Sequence, residues 1–171
     1  MKASIVRHHD EWLSLIEVSG PFLTLPVLER AFPQGIEPVD RSVVEELRLA
    51  VQEWHEDQTH SPQWVRWVLA RLLEFDEQTL LEGPAIPQIL SCSAPEHAEI
   101  LRPDLAIVEP QASGQPTVRM LISTWRTTQK LAGKTSDQKW AATPLDRMTD
   151  LLRATGVSLG LVTNGELWTL V

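Results

Sequence analysis

The chain has no tyrosine, one cysteine and three phenylalanines in 171 residues. It also has no long apolar run, and each of these shortages excludes something. A membrane-spanning helix needs about 20 consecutive apolar residues, and no stretch approaches that. The lone thiol, Cys92, rules out an internal disulfide and a cysteine-rich zinc site. It fits a reducing cytoplasm, which is the expected location. Residues 1–10 carry Lys2, Arg7, His8 and His9 without an apolar stretch, so they do not read as a signal peptide. A Gly-rich phosphate loop, a Gly-x-Ser-x-Gly elbow and an adenine-methylase motif are all missing, so methyl transfer is not expected of these residues.

What is present reads as a globular domain. The composition, 43% hydrophobic and 22% charged, is that of an ordinary folded protein. The length suits one domain with a small helical appendage. Seven Trp stand against no Tyr, which carries no functional meaning alone.

The net charge of -8 argues against non-specific nucleic-acid binding by the whole surface. The charge is unevenly spread. Residues 1–118 hold 8 Lys and Arg against 19 Asp and Glu. Residues 119–147 hold 6 basic against 2 acidic, so this one segment is locally positive.

Three regions separate by pattern. Residues 1–40 form a lead-in of short helical pieces broken by Pro and Gly, with Pro26 in the first turn of a short helix. Residues 41–171 form the main domain. There, Val43, Leu47, Val51 and Trp54 mark one face of a helix capped by Asp40. A second helix opens at Ser61 and Pro62, with Trp64, Val65, Val68, Leu69, Leu72 and Leu73 as its stripe. Strands are expected at 105–108 and 118–124. A helix over 144–154, stopped by Gly156, precedes two strands, 157–163 and 166–171, joined by an Asn164-Gly165 turn. The chain ends on a strand, which reads as a boundary inside a longer protein. The order predicts an α/β fold with a mixed sheet of four or five strands and helices on at least one face.

Arg102-Pro103-Asp104 leads into the strand 105–108, and the next strand ends Ile122-Ser123-Thr124-Trp125. In metal-dependent nucleases an Asp at one strand edge and a Glu-x-Lys on the neighbouring strand converge on Mg²⁺ and an attacking water. The stretch 99–108 resembles the first half of the PD-(D/E)xK nuclease motif. Residues 151–168, with Gly160, Thr163, Asn164, Gly165, Glu166 and Trp168, are similar to the segment that follows the active site in type IIG restriction–modification methylases. Related domains occur in phage-defence methylases of DISARM and BREX type. The resemblance covers about residues 20–171 and implies a restriction-endonuclease-like fold.

The sequence departs from that family at the chemistry. Ser123 stands where the Glu is expected and Trp125 where the Lys is expected. A hydroxyl holds a divalent cation poorly, and indole offers no basic nitrogen. Asp104 is therefore read as a remnant, and neither metal nor cofactor is expected. Glu109, Glu46 or Glu53 are the carboxylates that a migrated site would use, with Arg126 or Lys130 as its cation. Arg126, Lys130, Lys134 and Lys139 are candidate phosphate contacts, with Trp125 or Trp140 stacking on a base. A loop of solvated charges is the plainer reading of the same residues.

The resemblance implies a catalytically inactive module of a bacterial restriction or phage-defence DNA methyltransferase. Its partners would be DNA and a methyltransferase domain or defence subunit, with no membrane. Two alternatives stand beside it: an active Mg²⁺-dependent endonuclease with migrated groups, and a protein-interaction scaffold without DNA contact. His55 and His60, spaced i, i+5, do not share a helix face as a metalloprotease pair would. Cys92 is read as a small packed residue.

Overall fold

A computed structural model of the chain describes residues 24–35, 38–56, 61–76, 78–111, 116–135 and 140–171. The contacts divide the chain into two units, Met1–Glu46 and Leu47–Val171.

In the first unit, α1 (Leu25–Ala31) starts with a proline in its first turn and buries Leu28. Helix α2 (Arg41–Glu56) begins in this unit and runs into the second. Asp40 caps it as expected: its Oδ1 accepts from the Ser42 N–H at 3.0 Å. That bond, more than the one from the Ser42 hydroxyl, holds the Asp40 carboxyl below its ordinary range. The stretch 12–18 lies outside the described residues.

The second unit is a mixed α/β layer structure. Helix α3 (Ser61–Trp67) widens into a π-helical segment, Val68–Leu72. The strands are β1 (Leu80–Glu82), β2 (Cys92–Ala94), β3 (Glu99–Leu101), β4 (Leu105–Glu109), β5 (Thr117–Thr124), β6 (Gly160–Thr163) and β7 (Trp168–Leu170), with α4 (Pro144–Thr155) between β5 and β6. Five strands form one sheet in the order β1-β4-β5-β6-β7, and β2 pairs with β3 separately. The β5–β6 pair is the parallel one, and α4 makes the crossover that parallel neighbours require.

Alternation along the strands sends side chains to two covered faces. Leu105, Ile107, Ile122 and Leu161 pack with Val65 and Leu69 on the α3 side. Ala106, Leu121 and Val162 pack with Met148 and Leu151 of α4 on the other. Gly160 lets α4 come close, because a Cβ there would sit 2.6 Å from Met148 Cγ.

Two expectations are corrected. Leu73, placed on the stripe of the second helix, is exposed. The π-helical segment explains this, since the wider turn changes the angle per residue and shifts the stripe. The last two strands are also shorter than expected, and their junction is not a two-residue turn. Thr163 pairs with Trp168, which leaves a loop over residues 164–167. A type I′ turn needs positive φ at both central residues, whereas Gly165 has φ +91 and Asn164 does not have a positive φ. Instead Asn164 Oδ1 accepts from the N–H groups of Glu166 (3.2 Å) and Leu167 (2.8 Å).

This loop is where the tryptophans gather. The Trp64 indole N–H donates to Gly165 O at 2.9 Å, and Trp168 donates to the same oxygen at 3.3 Å. Trp54, Trp64 and Trp67 stack in sequence, with centroids 5.4 and 5.6 Å apart. A Cβ on Gly165 would lie 2.7 Å from Trp54 Cζ2. Gly165→Ala therefore meets both a strained φ and an aromatic wall. It is expected to cost about 2 kcal/mol or more, read as a drop in urea midpoint with little change in slope. An unchanged midpoint would remove the close approach from this account.

Candidate functional site: a pocket around Arg147

Strand β4 starts beside the end of β5. The Asp104 N–H donates to Ile122 O at 2.9 Å. The Asp104 carboxylate then accepts from the Thr124 N–H at 2.6 Å and from the Thr124 hydroxyl at 3.1 Å. Leu121, Ser123 and Trp125 follow with period two, so Ser123 and Trp125 leave the sheet on the α4 side.

Helix α4 brings the next residue. Thr143 and Asp146 form a reciprocal capping box, and Pro144 occupies the first turn. The Thr143 hydroxyl, then its backbone N–H, and the nearby Lys134 charge hold the Asp146 carboxyl below its ordinary range. So fixed, α4 carries Arg147 inward until its side chain is 6% exposed. Its Nη1 donates to Glu99 Oε1 at 2.6 Å, and its Nη2 donates to Trp140 O at 2.7 Å. Two indoles flank the guanidinium, with centroids at 5.0 Å (Trp140) and 6.0 Å (Trp125). His97 stacks on Trp140 at 4.8 Å.

Of these groups, Glu99, Trp125 and Arg147 line a pocket of about 670 Å³. Asp104, Ser123, Trp125 and Arg126 were expected to gather there, and they do. Glu99, Arg102 and Arg147 join them without having been singled out. Arg147 left a signal, since it lies one turn before the buried Leu151 on the inner face of α4. Three buried polar atoms in this lining have no hydrogen-bond partner: Glu99 Oε2, Trp125 Nε1 and Arg147 Nε.

The basic loop after β5 is tied down. Asn164 Nδ2 donates to Thr127 O (3.3 Å) and Gln129 O (3.1 Å). Gln129 Nε2 donates to Gly133 O at 3.0 Å, and Leu131 is buried beneath. Arg126, Lys130 and Lys134 are exposed on it, and Arg126 alone of the three lines the pocket. Lys139 lies outside the described residues, as do His8, His9 and His60.

The residues present do not suit Mg²⁺. Oxygen-rich coordination by several carboxylates is what that ion requires. Here Asp104 Oδ2 is taken by Thr124, and Glu99 is committed to a guanidinium. Among the described residues no group of three His, Cys, Asp or Glu side chains lies close enough to hold a metal. Glu109 sits at the far end of β4 in an ion pair with Arg119, and Glu53 is exposed on α2. Cys92 is half-buried on β2.

No family model, curated protein or solved structure matches this chain. The geometry therefore carries the functional reading alone.

Asp104 is exposed as a residue, yet protein crowds its carboxyl. That burial raises its pKa above the ordinary 3.8, and hydrogen bonds from Thr124 and Ser123 oppose the rise without cancelling it. The folded chain thus keeps this proton to higher pH than the unfolded chain. The contribution is fully present below 3.8 and is lost as pH rises through the raised value. Asp104→Asn keeps an acceptor for Thr124 and removes the charge. In urea unfolding, its stability relative to the unsubstituted chain should increase between acid and neutral pH. A relative decrease would contradict the burial argument.

Proposed function

We propose that the chain is a nuclease-like, non-cleaving module that holds DNA beside a methyltransferase domain or defence subunit. One observation carries this reading. Asp104 at the start of β4 and Ser123-x-Trp125 at the end of β5 converge in one pocket, the arrangement in which metal-dependent nucleases place their Asp and Glu-x-Lys. The layers, with helices on both faces and a helical crossover into a parallel strand, agree with a restriction-endonuclease-like fold. The replacement of Glu and Lys by Ser123 and Trp125, together with the commitment of Glu99 to Arg147, removes the chemistry of metal-dependent cutting. The pinned loop with Arg126, Lys130 and Lys134 supplies the DNA contact, because fixed cations at a pocket rim attract phosphates with little ordering cost.

Two assays test the two halves. Plasmid nicking with Mg²⁺ or Mn²⁺ should give no cleavage. Cutting that disappears in Asp104→Ala would favour the migrated endonuclease, with Glu99 as its new carboxylate. Duplex DNA affinity should fall with salt, and changing Arg126, Lys130 and Lys134 to Glu should abolish it. Each lost phosphate contact lowers the slope of log affinity against log salt by about 0.9. Absent binding at low salt would leave the scaffold reading in its place.

A further inference from the structure

Two guanidinium groups stand at one end of the central strand pair without an ion-pair or hydrogen-bond partner among the described residues. In the antiparallel β4–β5 pair, the residues before β4 lie beside those after β5. The chain therefore brings Arg102, just ahead of Asp104, and Arg126, just beyond Thr124, to the same end of the sheet. Both are exposed, and both line the pocket of about 670 Å³. Their backbone is held. Arg126 opens a turn that the Gln129 N–H closes on its carbonyl at 2.8 Å, and Arg102 precedes the buried Pro103. Thr128, exposed in the same lining, carries a hydroxyl with no partner among the described residues. The other charges of the lining decide the sign of what fits. Glu99 and Arg147 neutralise each other in their ion pair. Asp104 is then the one carboxylate set against Arg102 and Arg126, which leaves the cavity net positive. Guanidinium forks and a hydroxyl donor suit an oxyanion, whereas one carboxylate is too few for a hard cation.

We propose that this pocket holds a phosphate group of a nucleic-acid strand without a metal ion, bound by Arg102, Arg126 and Thr128 and opposed by the Asp104 carboxylate. This deepens the DNA-holding reading and rests on it for the strand that carries the phosphate. The site is separate from Lys130 and Lys134, which do not line the pocket. Its consequence falls on Asp104. Where a carboxylate reaches a phosphate through a divalent ion, removing the carboxylate weakens binding. In a metal-free site the carboxylate repels the phosphate, and removing its charge strengthens binding. Asp104→Asn leaves an oxygen to accept from the Thr124 N–H and hydroxyl, so the strand ends keep their places.

The test is an NMR titration of the assigned full chain, in EDTA and near pH 8, where carboxylates and phosphate monoesters are both ionised. The probes are inorganic phosphate and short single-stranded oligonucleotides with and without a 5′-phosphate. Phosphate should shift the backbone amide signals of Arg102, Arg126 and Thr128. Asp104→Asn should tighten binding about threefold or more, and Arg102→Ala or Arg126→Ala should weaken it about tenfold. Tighter binding of the 5′-phosphorylated strand marks a strand end as the source, and equal binding marks an internal phosphate; both uphold the site. Asp104→Asn that weakens binding or leaves it unchanged would overturn the proposal. So would phosphate that binds only with Mg²⁺, or that leaves the three amide signals still. The signals of the unsubstituted chain carry the test even if a variant does not fold. Duplex affinity that depends on Lys130 and Lys134, with a pocket indifferent to phosphate, sinks this inference alone. Phosphate in the pocket without duplex affinity upholds it while the DNA-holding reading fails.

Discussion

The guanidinium of Arg147 is buried at 6% exposure, so its charge has to be answered inside the protein. Three segments of the chain converge to answer it. Strand β3 supplies the Glu99 carboxylate, the residues before α4 supply the Trp140 carbonyl, and Trp140 and Trp125 supply the flanking rings. Breaking such a pair from one side costs about 3–5 kcal/mol, because a buried charge is left alone. The two-stranded β2–β3 piece is thereby tied to α4 across 48 residues of sequence. Because Trp125 takes part, the end of the central strand β5 is drawn into the same arrangement.

A second set of constraints meets on residues 160–168. Gly160 admits Met148 of α4. Thr163 Oγ1 donates to Leu167 O and accepts from the Gly165 N–H, which shapes the loop from within. Asn164 reaches across to the basic loop, and Gly165 receives the indole N–H groups of Trp64 and Trp168. The segment thus joins the helix on one face, the tryptophan ladder and the cationic loop. The bland requirement is a well-packed hairpin, and the functional consequence is that Arg126, Lys130 and Lys134 stand on a fixed backbone.

Much of this was legible in the sequence where local signals were strong. Pro103 and Pro110 bracket β4, and Gly156 closes α4 in the left-handed conformation such an end favours. The meeting of Asp104 with Ser123 and Trp125 was an expectation of the nuclease resemblance, and the pairing of β4 with β5 brings these residues together with Arg126. Strands β1, β2 and β3 were missed because three residues cannot display a period of two. The Asn164-Gly165 pair pointed to a tight turn, but the Asn164 side chain had better partners in the loop opposite. Glu99 and Arg147 were missed as site residues for a related reason. Burial of a charge is decided by a distant partner, and one sequence does not show who that partner is.

The buried cation of this pocket is the Arg147 guanidinium, and the proposed non-cleaving reading requires that no divalent ion is held beside Asp104. Titrating Mn²⁺ into the isotope-labelled chain tests it most directly, since a bound paramagnetic ion broadens the signals around it. The account predicts no selective broadening of Asp104, Ser123 or Thr124 relative to exposed carboxylates such as Asp76. Selective broadening at those three residues, reversed by Mg²⁺, would show a metal site and contradict it.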